Sequence, residues 1–324
     1  LPPSKRSIDA IWRQRGLLAW LLLPFSLLFL LLAALRRALY RAGILATIRL
    51  PVPVVVVGNI TAGGAGKTPL TIWLAEELRR RGRQPGVISR GYGGSAEGVR
   101  EVSQDDTPDV VGDEPLLIRR RAGCPVFVGR DRAEAGKALL ATHPEVDVLL
   151  CDDGLQHYRL GRDVEIAVVD RRGLWNGWLQ PAGPLREPPS RLKSVDAVVA
   201  NGWSGLAAFQ MVLVGDRFVP LTGNASLDEA MRLHAVAGIG EPQRFFDHLA
   251  ALGLKFDAHP FPDHHAYAAA DLDFAGDAIL TTEKDAVKFG ALAKLPVWVL
   301  PVSATVTPDL AQFILEKIDG RPTA

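Results

Sequence analysis

The sequence predicts an α/β fold: a doubly wound parallel sheet, a second and smaller α/β unit, and a membrane-associated helix ahead of both. Three observations carry this expectation. Short apolar runs rich in β-branched residues, Val54-Val55-Val56-Val57 foremost, read as strands buried on both faces, as parallel sheets require. Such runs alternate with stretches of helical character, the pattern of βα units. Residues 17–35 form nineteen consecutive positions without a charge, about the lower end of what crosses a hydrocarbon core as a helix.

That apolar stretch opens a segment expected over residues 1–45. It is too long for a secretory signal, no small-residue cleavage site follows, and Arg36 and Arg37 come next. Lys5, Arg6, Arg13 and Arg15 precede it; Arg41 and Arg49 lie beyond it. Basic residues on both flanks give no orientation bias and suit a helix with both ends on one face of the membrane. The expectation is a helix lying in one leaflet, on the cytoplasmic side.

A core unit is expected over residues 46–175. The Val54 strand runs into Thr61-Ala62-Gly63-Gly64-Ala65-Gly66-Lys67-Thr68 and a helix opening at Pro69. Strand, glycine loop, Lys-Thr and helix make a phosphate cradle. Backbone N–H groups and the helix N-terminus face the anion, Lys67 meets the terminal phosphates, and the Thr68 hydroxyl reaches Mg²⁺. The pattern GxxxxGK[ST] has Thr61 in place of its first glycine. Further on, residues 146–151 read as a strand tipped by Asp152 and Asp153, the arrangement that presents a carboxylate to Mg²⁺ beside such a loop. The fold class is thus P-loop NTPase-like.

Between these signals, Arg90-Gly91-Tyr92-Gly93-Gly94 follows a strand around Val87, where α/β folds bind ligands. Asp113-Glu114 reads either as charges at a helix start or as including a catalytic base. Residues 173–190 carry four prolines and two tryptophans, so they suit neither helix nor central strand. They read as a connector, expected over residues 176–192, that offers Arg186 and Glu187 to a site. The smaller unit is expected over residues 193–305, with a hairpin around Gly215-Asp216. Within it, Gly238 and Gly240 read as tight strand–helix packing, and residues 283–285 as a nucleotide or inter-unit contact or a helix cap. A last helix, within residues 306–324, is expected to pack back on the core.

The chain carries 37 basic and 36 acidic residues, so it lacks the basic surplus of a general nucleic-acid binder. Cys124 and Cys151 match no metal or redox spacing and read as buried thiols. A partition-type ATPase would carry an extra lysine where Ala62 stands. A GTPase would need an N/TKxD motif, whereas Lys284 and Asp285 are adjacent. ATP-dependent phosphoryl transfer near a lipid surface and a membrane-associated motor ATPase both remain open on these residues.

The motifs GNITAGGAGKTP, SRGYGG, VGDEP, DDGLQH, LQPAGPLREP, FPDHH and TTEKDAVKF occur in this order behind the apolar helix. Together they make nearly the whole chain resemble the tetraacyldisaccharide 4'-kinase family of lipid A biosynthesis, in which Thr61 is typical. The resemblance implies ATP and Mg²⁺ as cofactors and an acylated glucosamine disaccharide 1-phosphate as acceptor, at the cytoplasmic face of the bacterial inner membrane. It implies no protein partner. It assigns Asp113 as the base and His264 as its helper, with His265 adjacent. Lys67 and residues 61–68 would hold ATP, and Thr68 and Asp152 the metal, with Asp153 positioned beside them. Arg90, Tyr92, Gln156, His157, Arg186 and Glu187 would meet the acceptor.

Overall fold

The computed structural model describes residues 5–203, 205, 207–222, 231–289 and 292–320. Helices α1 (Lys5–Arg13) and α2 (Leu17–Arg41) come first. The larger sheet then takes, in chain order, β1 (Val54–Gly58), β2 (Pro85–Ser89), β3 (Arg100–Glu101), β4 (Val126–Val128), β5 (Val148–Asp152), β6 (Val164–Asp170), β7 (Ala197–Asn201) and β8 (Phe209–Val214). The smaller sheet takes β9 (Val219–Pro220), β10 (Leu233–Ala237), β11 (Phe256–Pro260), β12 (Ala278–Thr282) and β13 (Val297–Leu300), after which β14 (Ser303–Thr307) returns to the larger one. The remaining helices are α3 (Lys67–Arg80), α4 (Pro108–Val111), α5 (Asp113–Ala122), α6 (Arg132–Thr142), α7 (Pro242–Ala251), α8 (Glu283–Phe289) and α9 (Leu310–Asp319).

The larger sheet runs β14-β8-β7-β6-β1-β5-β2-β4-β3 and is parallel except at its edges, β3 and β14. Its central strands are buried on both faces, and period-two alternation sends neighbouring residues to opposite cores. Val55 and Val57 pack with Leu70, Leu74 and Leu78 of α3 and with Leu116 of α5. Val54 and Val56 pack with Ala133 and Leu139 of α6. Ile314 and Ile318 of α9 lie in the first of these clusters, so the last helix packs on the core. The smaller sheet, β11-β10-β12-β13-β9, repeats the plan with Phe245 and Leu249 of α7 on one face and Phe289 of α8 on the other.

Two expectations are corrected here. Residues 176–192 do not link the units, because β6 and β7 on either side are paired neighbours in one sheet. The segment instead folds over the phosphate loop and α2. Thr61 bridges Leu185, the Ala62 N–H donates to Pro184 O at 2.8 Å, and the Ser26 hydroxyl of α2 donates to Leu179 O at 2.8 Å. Nor do residues around Gly215 form a hairpin, since β8 pairs with β7 and β14 while β9 pairs with β13. The chain crosses between sheets there, and a Cβ on Gly215 would stand 2.6 Å from Pro301 O in the returning crossing. The boundaries drawn at residues 193 and 305 therefore fall inside the larger sheet's territory, because β7, β8 and β14 all complete that sheet.

Helix α2 runs continuously through Pro24. Of its residues only Ala19 and Ser26 are buried, while Leu21, Phe25 and Leu31 are 63%, 62% and 64% exposed. It is docked along its length: Trp20 meets Trp178 edge-on at 4.9 Å, Arg37 reaches the Ser194 hydroxyl at 3.5 Å, and Tyr40 lies 6.0 Å from Tyr158.

Candidate active site

Pairing Val57 with Asp152 across β1 and β5 sets the phosphate loop and the acidic tip side by side at the carboxyl end of the sheet. Helix α3 begins at Lys67, two residues before Pro69, behind Gly66 in a left-handed conformation (φ 93°). A Cβ on Gly66 would meet Asn201 Nδ2 at 2.5 Å, so both backbone and space require glycine there. Thr61 needs no such freedom. It is buried in an extended bridge, and Asn59 Nδ2 donates to its hydroxyl at 3.3 Å. Lys67 and Thr68, the first residues of the helix, are both buried.

The two tip carboxylates have different environments. Asp153 lies 3.5 Å from Lys67 Nζ and accepts from Arg186 Nη1 at 3.2 Å. Burial works to raise its pKa, but the charges of Lys67 and Arg186 outweigh that and hold it below the ordinary carboxylate range. Asp152 is fully buried, and its Oδ1 accepts from the Thr71 hydroxyl at 3.1 Å. Its Oδ2 has no hydrogen-bond partner among the described residues. Burial, with the negative charge of Glu114, pushes its pKa up to about 7. A buried, acceptor-only oxygen left open beside a phosphate loop is the donor a hard cation would use.

A second cluster faces the first. Asp113 is the first residue of α5, behind Gly112 with φ 91°, where a Cβ would meet Tyr92 O at 2.7 Å. That close approach packs the 90–94 loop onto Asp113. The Asp113 carboxylate pairs with His264 Nδ1 at 3.0 Å and lies 3.7 Å from Lys288 Nζ. Burial raises its pKa, yet the His264 hydrogen bond and the charges of Lys284 and Lys288 bring it below the ordinary value. His264 sits at φ 62°, and the Tyr92 ring meets it edge-on at 5.1 Å. His265 turns elsewhere, with Nε2 3.1 Å from Asp271.

Lys284 joins the clusters; its sequence left a nucleotide contact, an inter-unit contact and a helix cap equally open for residues 283–285. Its Nζ donates to Glu114 at 2.9 Å and Asp263 at 3.2 Å, and lies 3.5 Å from His264 Nε2. Burial alone would lower its pKa, but Glu114, Asp263 and Asp113 keep it charged. Its signal was the run Glu283-Lys284-Asp285, whose three members separate in function. Asp285 and Thr282 cap α8 reciprocally, Glu283 pairs with Arg121 across the units, and Lys284 enters the site. Between the clusters lies a cavity of about 540 Å³ lined by residues 64–69, Glu114, Asp170, Asn201, Arg244 and Lys284. Gly240 closes against the loop there, because a Cβ would stand 3.1 Å from Gly64 N.

The other expected acceptor residues are placed unequally. Arg90 is exposed next to Tyr92. Gln156 Nε2 donates to Asn59 O at 3.1 Å and to Glu187 at 2.8 Å. Glu187 is buried and also accepts from Tyr158 at 2.6 Å and Arg191 at 3.2 Å, so its carboxylate braces the loop from inside. His157 accepts from the Arg132 N–H at 3.3 Å, because the turn from Gly154 swings its ring toward α6. Burial and the Arg132 charge lower its pKa to about 4. Its neutral folded form therefore stabilises the protein above pH about 6.5, and that contribution is lost as pH falls toward 4. His157→Gln is expected to flatten the loss of stability between those pH values by on the order of 2 kcal/mol, read by denaturant titration. The cysteines are inert, with burial pushing the thiols up to about 11 for Cys124 and about 12 for Cys151.

Fold and site together define a class: a P-loop enzyme whose cavity is lined by the phosphate loop and by Glu114 and Lys284, with a carboxylate–imidazole pair suited to taking a proton from a hydroxyl behind Lys284. A family model described as tetraacyldisaccharide-1-P 4'-kinase (LpxK) matches residues 18–319, and the chain belongs to this family. Among its relatives, the tetraacyldisaccharide 4'-kinase of Azoarcus sp. (strain BH72) is 57% identical, over 97% of this chain and 96% of its own. That of Dechloromonas aromatica (strain RCB) is 54% identical over 96% of each. The crystal structure of an "apo" form of LpxK from Aquifex aeolicus in complex with ATP superposes with a TM-score of 0.80 at 29% identity, covering 93% of this chain and 100% of that one.

Proposed function

We propose that this chain transfers the γ-phosphoryl group of ATP to the 4'-hydroxyl of a tetraacylated glucosamine disaccharide 1-phosphate, giving lipid IVA. The observation that carries the reading is the Asp113–His264 pair, held beside Lys284, which with Glu114 lines the same cavity as the phosphate loop. A sugar hydroxyl is a weak nucleophile at neutral pH, so its proton must be accepted as it attacks phosphorus. Asp113 is ionised at that pH and takes the proton. His264, bonded to it through Nδ1, fixes its orientation. Lys67 and the loop amides hold the phosphates, and Lys284 and Arg186 offset charge as it shifts to the leaving oxygens.

Mg²⁺ fits the open Asp152 Oδ2 and the Thr68 hydroxyl. When bound it would neutralise phosphate charge, taking its other ligands from phosphate and water. Arg186, already against Asp153, serves the nucleotide side, while exposed Arg90 beside Tyr92 is free to pair with the acceptor's 1-phosphate.

Helix α2 serves as the membrane contact. Its body contacts extend from Trp20 to Tyr40, so a full span would carry Leu179, Ser194 and Tyr158 into hydrocarbon. It lies instead in one leaflet, with its exposed leucines in the acyl layer. ATP supply puts that leaflet on the cytoplasmic side. The test is ADP release with and without the disaccharide lipid. Release that depends on the lipid is expected, whereas equal release without it would favour a motor ATPase.

A further inference from the structure

The nucleotide cavity lies at the carboxyl ends of β6 and β7, where Asp170 and Asn201 line it. A second cavity, of about 390 Å³, opens at the opposite ends of the same strands, beside Asp163 and Asp196. Strand β6 is 7 residues long, so roughly 20 Å of sheet separates the two. The second cavity is no extension of the catalytic site.

Its chemistry is that of an anion site. Five arginines line it against three carboxylates. Two of those carboxylates are already engaged, Glu165 by Arg162 at 3.1 Å and Asp196 by Lys317 at 3.0 Å. Arg37 and Arg41 enter from the last turns of α2, and among the described residues neither pairs with a carboxylate. Among the described residues Arg49 has one ion pair, with Asp163 at 3.7 Å. Tyr40 and Tyr158 wall the cavity, with the Arg36 guanidinium about 6 Å from both rings.

The helix wall says what kind of anion. Immediately before Arg37, α2 exposes Leu28, Leu31, Leu32 and Leu35, each more than half accessible. Apolar face and guanidinium cluster thus meet where a lipid's acyl chains meet its headgroup. We propose that this cavity holds the phosphate of an anionic glycerophospholipid, with the acyl chains along the exposed leucines of α2. Guanidinium forks bind phosphate oxygens bidentately, which a lysine cannot reproduce. The inference rests on α2 lying in one leaflet. It gives the membrane contact a preference for anionic lipid that an apolar helix alone would lack.

The test is co-sedimentation of the full chain with phosphatidylcholine vesicles, with and without phosphatidylglycerol. Unaltered turnover on detergent-dispersed acceptor serves as the folding control. Wild type is expected to bind the phosphatidylglycerol vesicles more tightly. Arg37→Gln with Arg41→Gln is expected to lose about twenty-fivefold on them, from about fivefold per arginine, and nothing on pure phosphatidylcholine. Arg37→Lys with Arg41→Lys keeps the charge and is expected to lose several-fold as well. Full binding by the lysine pair would mean diffuse basic attraction and overturn the site, as would indifference of wild type to phosphatidylglycerol. Failure to bind either vesicle would overturn the one-leaflet reading and this inference with it. Loss of binding on replacing Leu28 and Leu32 by serine, with lipid preference retained in the residue that still binds, would support both.

Discussion

Asp113→Asn is expected to lower kcat by roughly 10²–10⁴-fold, the range for removing a general base, while ATP affinity changes little. The amide is isosteric and remains within reach of His264, so helix α5 and the buried pocket keep their shape. What is lost is the acceptor site for the hydroxyl proton. Lys284 retains Glu114 and Asp263, and Lys288 retains Asp285, so neither cation is stranded. Steady-state kinetics beside calorimetric ATP binding separates the two effects. A fall in ATP affinity as large as the fall in kcat would make Asp113 a nucleotide or metal residue.

Asp152→Asn should divide activity from stability. Turnover is expected to drop by about 10²–10³-fold, the usual effect of removing one charge that stabilises a phosphoryl transition state, with an increased Mg²⁺ requirement. Stability should move the other way. In the folded protein the Asp152 carboxyl has its pKa raised to about 7, against about 4 when unfolded. Below pH about 4 both states hold the proton. As pH rises to 7 the unfolded chain releases it first, so Asp152 costs stability over that window and beyond. The variant should therefore be more stable than wild type at pH 8 by on the order of 2–4 kcal/mol, a gain that shrinks as pH falls toward 4. A melting-temperature series across pH reads it, and an unchanged difference at all pH values would contradict the strain assigned to this carboxylate. Such a trade suits a residue kept for a ligand and not for the fold.

Much of the architecture was legible in the sequence because its signals are local. Four consecutive valines between turn residues can only be covered on both faces, and β1 lies mid-sheet with both faces packed. The glycine loop and the acidic tip were readable for the same reason. Long-range placement was not. The Asp113–His264 contact joins residues 151 apart, and only the resemblance to a family pointed to it. Proline content showed that the 173–190 segment would be irregular, but not that it would cover Thr61 and clasp Ser26. The Gly215-Asp216 turn signal was real, yet the strands around it find partners in different sheets, a choice that tertiary packing makes. His157 follows the acidic tip in sequence, but one turn points its ring at Arg132. Lys284 was hidden inside a run that reads equally well as a helix cap, and the cap is present too.

The chain crosses between the sheets at Gly215 and Pro301 and not at the proline-rich segment, and Gly240 of the smaller unit lies against the loop at Gly64.

The most direct measurement of the central claim is to follow the phosphate itself. The chain is incubated with γ-labelled ATP, Mg²⁺ and the tetraacyldisaccharide 1-phosphate, and the lipid product is separated and its phosphorus NMR spectrum recorded. The account predicts label in a bis-phosphorylated lipid at the 4' position, formed by wild type and nearly absent with Asp113→Asn. Label appearing only as inorganic phosphate, with the lipid unmodified, would contradict it.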